Sequence, residues 1–196
     1  MDRQEQTLIA LMEEYKALKA EQGRRIGFRD NLLYVTLGLF GAIASIALGD
    51  PPNPMALLVI PLVCLALGWM YLVNDEKISA IGLYVRLDLD DRIRTLIGGS
   101  ADSLPLFGWE TAHRDDKRRK RRKLEQLFID ELTFVVAGLV AIGVCLATVD
   151  RISVGLGLLG AIEAVLLVAL GVEIVIYADL GKGRKAPKNY DFKQKS

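Results

Sequence analysis

Four long stretches of this chain, residues 31–49, 51–74, 132–149 and 152–178, contain no lysine or arginine. Each is long enough to cross a hydrocarbon core as a helix, which takes about 20 residues. Of the 196 residues, 52% are hydrophobic, and they gather in these four blocks while the rest of the chain is highly charged. A soluble domain would spread its apolar residues in periodic patterns instead. The formal net charge of +1 hides this segregation. The expected fold class is all-α: a four-helix transmembrane bundle of two hairpins, with cytoplasmic amphipathic and basic helices.

The cations set an orientation. Of the 25 Lys and Arg residues, Arg151 alone falls in a segment joining the first span to the second or the third to the fourth. The positive-inside rule then assigns the other charged regions to the cytoplasm. The expected organisation is a cytoplasmic N-terminal helix (1–29), a first transmembrane hairpin (30–74), a cytoplasmic helical segment with a basic run (75–129), a second hairpin (130–179) and a cytoplasmic tail (180–196). The expected location is the plasma membrane, multi-pass, with both termini inside. The outer turns, Gly49-Asp50-Pro51-Pro52-Asn53-Pro54 and Val149-Asp150-Arg151-Ile152, are too short to hold a receptor domain. Ala44-Ser45-Ile46-Ala47 loosely resembles a signal-peptidase site, but the polar region before the first apolar run is too long for a leader.

Along the chain, Leu8, Leu11, Met12, Tyr15 and Leu18 recur at helical spacing and predict an amphipathic helix over 4–22. That stripe fits packing on the chain's own cytoplasmic region, or self-association. Pro61 falls inside the second span and predicts a kink. Residues 75–98 read as a helix leaving the membrane and ended by Gly98-Gly99-Ser100. Residues 114–131 read as a charged helix running straight into the third span. Shifting the sequence by 100 residues lays Phe28–Asp50 on Phe128–Asp150, with matches such as Leu32/Leu132, Val35/Val135, Gly38/Gly138 and Ala47/Ala147. A duplicated hairpin and chance likeness of two apolar helices both account for this.

Glu163 is the sharpest candidate for chemistry. It lies near the middle of the fourth span, where a carboxylate costs about 2.5 kcal/mol or more on insertion scales. It reads as a pore-lining or proton-handling group, or as a neutral acid bonded to a neighbouring helix at Ser45 or Thr148. Glu173 sits nearer the inner interface, about 1000° of helical rotation away, so the two do not form a paired acid/base site. Gly38, Gly138, Gly157 and Gly160 are expected helix-packing positions, within one bundle or between subunits.

The run Lys117, Arg118, Arg119, Lys120, Arg121, Arg122 and Lys123 points to anionic lipid headgroups, with a topology anchor as the plainer reading. Nucleic acid is disfavoured, because no aromatic platform accompanies the run. Asn74-Asp75-Glu76-Lys77 and Asp130-Glu131 form an acidic collar that could pair with Arg24, Arg25 and Arg29 or attract cations. Cys64 and Cys145 fall inside spans, as small apolar packers. With His113 the only histidine, a multi-His metal site is excluded. No phosphate loop and no nucleophile–base constellation is present, so neither an enzyme nor a cofactor is expected.

The stretches Tyr71-Leu72-Val73-Asn74-Asp75-Glu76-Lys77-Ile78-Ser79-Ala80-Ile81-Gly82 and Phe107-Gly108-Trp109-Glu110-Thr111-Ala112-His113-Arg114 resemble small four-span integral membrane proteins of actinobacteria. In layout the chain is also similar to small multi-span effectors of bacterial anti-phage systems. That likeness implies oligomerisation and membrane permeabilisation and carries over no residue roles. The leading expectation is a non-enzymatic, homo-oligomeric membrane protein, channel-like and gated from the cytoplasm. An anchor recruiting a cytoplasmic protein partner is the alternative. A small proton-coupled transporter ranks third, because spans 1–3 offer a substrate little to bind.

Overall fold

A computed structural model describes residues 2–98, 106–107, 119–149 and 151–178. Among these, the regular structure is helical. Helix α1 runs unbroken from Arg3 to Ala47, 45 residues and about 67 Å at 1.5 Å per residue. After the turn that follows α1, a 3-10 turn (Pro54–Leu58) leads into α2 (Val59–Tyr84). A π-helical turn (Val85–Leu89) carries α2 directly into α3 (Asp90–Leu96), so this rod is also continuous. Helix α4 (Arg119–Glu131) passes through a second π turn (Leu132–Val136) into α5 (Ala137–Thr148). Helix α6 (Val154–Tyr177) completes the second hairpin. Four of these rods are long and apolar enough to cross a membrane. In hydrocarbon an α-helix satisfies its own backbone, which is why apolar blocks of this length fold this way.

The helix ends follow local chemistry. Ser153 caps α6 by accepting a hydrogen bond from the Leu156 amide at 3.2 Å. Gly98 adopts φ +72° just beyond α3, a left-handed geometry that favours glycine and stops the helix. Pro61 lies in the first turn of α2, where its missing N–H costs least, rather than far enough inside the helix to kink it as expected.

The four rods are not equivalent. Helix α2 is central and packs against α1, α5 and α6. Helix α1 lies at the rim, against α2 and the 3-10 turn, with at most incidental contact to the second hairpin. The main core joins Leu32 and Ile43 of α1 to Cys64, Tyr71, Phe134, Cys145, Leu167 and Leu170. Beyond it, at the charged end, a second core sits in a stalk. There Val85, Leu89 and Ile93 meet Leu8, Leu11, Tyr15 and Leu18. Four of the five residues of the N-terminal stripe are thus packed on the chain's own stalk, while Met12 stays exposed.

The sequence match between the two hairpins does not extend to their surroundings. Leu32 and Ala47 are buried while Leu132 and Ala147 are exposed; Val35 and Gly38 are exposed while Val135 and Gly138 are buried. Equivalent residues of a symmetric pair would share an environment. Here α1 and α5 turn opposite faces inward.

Candidate functional site

Glu163 points into the protein, 2% exposed. Neither carboxyl oxygen has a hydrogen-bond partner among the described residues. The two hydroxyls expected to meet it do not. Ser45 donates to the Gly41 carbonyl of its own helix at 2.8 Å, and Thr148 donates to Val144 at 2.7 Å and Cys145 at 3.2 Å. A hydroxyl on an apolar helix finds its own i−4 carbonyl first, because that acceptor is always in reach. Glu173 is half-buried on another face of α6 and stands apart from Glu163.

Within the bundle two further acids have unmatched oxygens, Asp130 Oδ1 and Glu131 Oε1; in the stalk Asp88 Oδ2 has no hydrogen bond either but pairs with Arg92 at 2.9 Å. Asp130 is 6% exposed at the end of α4. It lies beside the Tyr71 hydroxyl on one small cavity, and Gln126 donates to that hydroxyl at 3.3 Å. Beside them, Arg29 of α1 bonds Asp75 of α2 at 2.7 Å and lies 5.8 Å from the centre of the Tyr71 ring. Lys123 approaches Asp75 from α4 at 3.9 Å. A cavity of about 20 Å³ opens here, lined by Tyr71, Asp75, Lys123, Gln126, Asp130 and Tyr177. That is room for about one water molecule.

The collar pairing expected from sequence therefore forms at Arg29. Arg24 does not join it, pairing with Glu21 at 2.8 Å, and that contact with Arg24 holds the Glu21 carboxyl below its ordinary range. Arg25 divides between Glu21 at 2.6 Å and the Asn74 amide oxygen at 3.2 Å.

Glu131 is placed by a glycine. A Cβ built on Gly171 of α6 would stand 3.0 Å from Glu131 Oε2, so the bare helix backbone there makes room for the carboxyl. Gly68 does the same for Phe134, whose Cβ and Cγ would lie 3.1 Å from an added Cβ. Neither contact is visible in spacing alone, since each depends on which faces of two distant helices meet. Among the glycines singled out for packing, Gly138 closes on Leu167 (2.7 Å to an added Cβ) and Gly160 on Ile142 (3.3 Å). Gly157 meets only Ile152, at 3.7 Å, just before its own helix, and Gly38 has nothing within 4 Å.

The basic run divides. Lys117 and Arg118 lie outside the described residues, and the side chains of Arg119 and Lys120 are likewise not described. Arg121 pairs with Glu125 at 2.7 Å. Lys123 turns inward to the collar rather than out with a uniform cationic face. The outward side of α4 carries Leu124 and Phe128.

The stalk has its own polar fastening, which the sequence reading missed. Asp90 accepts hydrogen bonds from the amides of Leu106 (2.9 Å) and Phe107 (3.3 Å) and from Arg94 (2.8 Å). Phe107 then stacks on Tyr15, ring centres 4.2 Å apart. Tyr84 donates to Glu14 at 2.7 Å. Burial, then Glu14 itself, pushes the Tyr84 hydroxyl up to about 12, so it remains a donor at neutral pH. The three- and four-residue spacing of Ile81, Val85, Leu89 and Ile93 signals a helix face but not which Asp turns inward.

Among the described residues no cluster of His, Cys, Asp and Glu has a metal-binding arrangement. Cys64 and Cys145 are buried free thiols, and Cys64 donates weakly to the Thr133 carbonyl in the second π turn, at 3.7 Å. Taken together, the fold and its buried acids define an all-helical protein with four helices fit to cross a bilayer. No protein-family model matches the chain, and no curated protein or solved structure is significantly similar to it.

Proposed function

We propose that this is a non-enzymatic, homo-oligomeric membrane protein of the plasma membrane whose cytoplasmic stalk gates a permeation path through its second hairpin. The carrying observation is Glu163, buried with both oxygens unmatched. A dehydrated polar group without a partner costs about 1–3 kcal/mol. An arrangement that admits water beside Glu163 recovers that cost, so the residue favours opening. The packed core, with Phe134 and Leu167 fully buried, corresponds to the shut state.

Both termini face the cytoplasm in this reading, and the cations at the head of α4 engage anionic headgroups. Subunits meet through the outward face of α1, where Gly38 and Gly41 have nothing within 4 Å in the protomer. Flux of ions, protons included, across liposomes bearing the purified protein, compared with Glu163→Gln, is the test. Equal flux through the two proteins, or none through either, removes the permeation reading.

The second reading is an anchor that recruits a cytoplasmic protein. Ile9, Met12 and Leu87, exposed apolar side chains on the stalk, favour it. Replacing the three with Asp would release such a partner while leaving the spans assembled.

A further inference from the structure

We propose that the species this protein passes is the proton, handed along Asp130, Glu131 and Glu163 inside a single protomer. The inference rests on the permeation reading above and names its substrate. Its basis is three acids with unmatched oxygens: Asp130 Oδ1, Glu131 Oε1 and both oxygens of Glu163. Asp130 and Glu163 are each more than nine-tenths buried.

The three acids stand at successive depths along α6. Asp130 lines the small cavity together with Ile174 and Tyr177. Glu131 lies against Gly171, three residues deeper. Glu163 follows eight residues beyond, about 12 Å further along the helix axis. Five ionisable groups surround the Asp130 end: Asp75, Lys123, Arg29, Tyr71 and Tyr177. At the Glu163 end Cys145 of α5 is within electrostatic reach.

Size then selects the permeant species. The cavity admits about one water molecule, and the interior beside it is filled by Phe134, Cys64 and Leu167. A hydrated alkali ion needs the helices to part widely. A proton needs only a thread of water between carboxyl groups. Each carboxyl accepts the proton on one oxygen and releases it from the other, and the bonding pair of the broken O–H stays on oxygen. The step consumes no oxidant and leaves no group changed after passage.

The test uses the full chain in liposomes containing a trapped pH-sensitive dye, with potassium and valinomycin to balance charge. Potassium and trapped-dye leakage are followed in parallel liposomes without valinomycin, where a protonophore balances the charge. The expected result is decay of an imposed pH step with neither form of leakage. Asp130→Asn and Glu163→Gln each slow the decay about tenfold or more, as expected for loss of one transfer partner. Glu173→Gln, off the line, leaves it unchanged. Should either variant fail to elute as the wild-type assembly in detergent, Glu131→Gln serves in its place. Proton decay that all these substitutions leave intact overturns the route. Potassium or dye escaping as fast as protons overturns the choice of proton while keeping a pore. Absence of any flux removes both readings together.

Discussion

Glu163 and Gly68 show how much one position can decide here. An aliphatic side chain in place of Glu163 would fill the same interior without an unmatched carboxyl. Glu163→Leu is therefore expected to stabilise the protein by about 1–3 kcal/mol, read as a raised unfolding midpoint in detergent, while suppressing flux. Gly68→Val is expected to do the reverse. The added carbon would meet Phe134, fully buried and without room to retreat, at a cost of about 1–3 kcal/mol. The depth of Glu163 is legible in the sequence, because depth follows from position along an apolar run. Its lack of a partner is not, because that depends on how neighbouring helices rotate. The same holds for Asp130 and Glu131, which read as a surface collar until α4 is seen to turn Asp130 inward.

At the level of elements, the apolar blocks announced the four spans, and the periodicity of 75–98 announced the rod that leaves them. One continuity was hidden: the helix expected over 4–22 and the first span are a single α1, which passes through Gly23 and Gly27 without interruption. Glycine weakens a helix by about 1 kcal/mol per residue, and packing along α2 on either side outweighs that. The π turns at Val85–Leu89 and Leu132–Val136 have no compositional mark either. The stalk depends on Asp90 and on the Tyr15–Phe107 stack. Asp90→Ala is expected to free residues 106–107 and to speed amide exchange in the first five turns of α1, leaving the spans protected. Hydrogen exchange followed by mass spectrometry checks this. Equal exchange in both proteins would show that the apolar contacts of Leu89 and Ile93 hold the stalk alone.

The whole molecule is asymmetric. Helix α1 stands at the rim against α2, and a Cβ added at its outward Gly38 or Gly41 would meet nothing within 4 Å. If a second subunit docks there, replacing Gly38 and Gly41 together with Leu is expected to lower the mass of the detergent-extracted assembly. If lipid alone covers that face, the mass will not change and helix propensity will make the variant slightly more stable. Labelling of a cysteine introduced near either terminus in sealed cells is expected only after the membrane is opened. Rapid labelling from outside would reverse the assigned sidedness. The unbroken α1 has a mechanical corollary. A stiff member reaching from the far tip of the stalk to the opposite rim of the bundle would act as a lever if the Arg29–Asp75 pair served as its fulcrum. A partner pulling sideways on residues near Ile9 would swing Ala47 the other way, so torque applied in one compartment would be felt at the far face without any signal crossing the core.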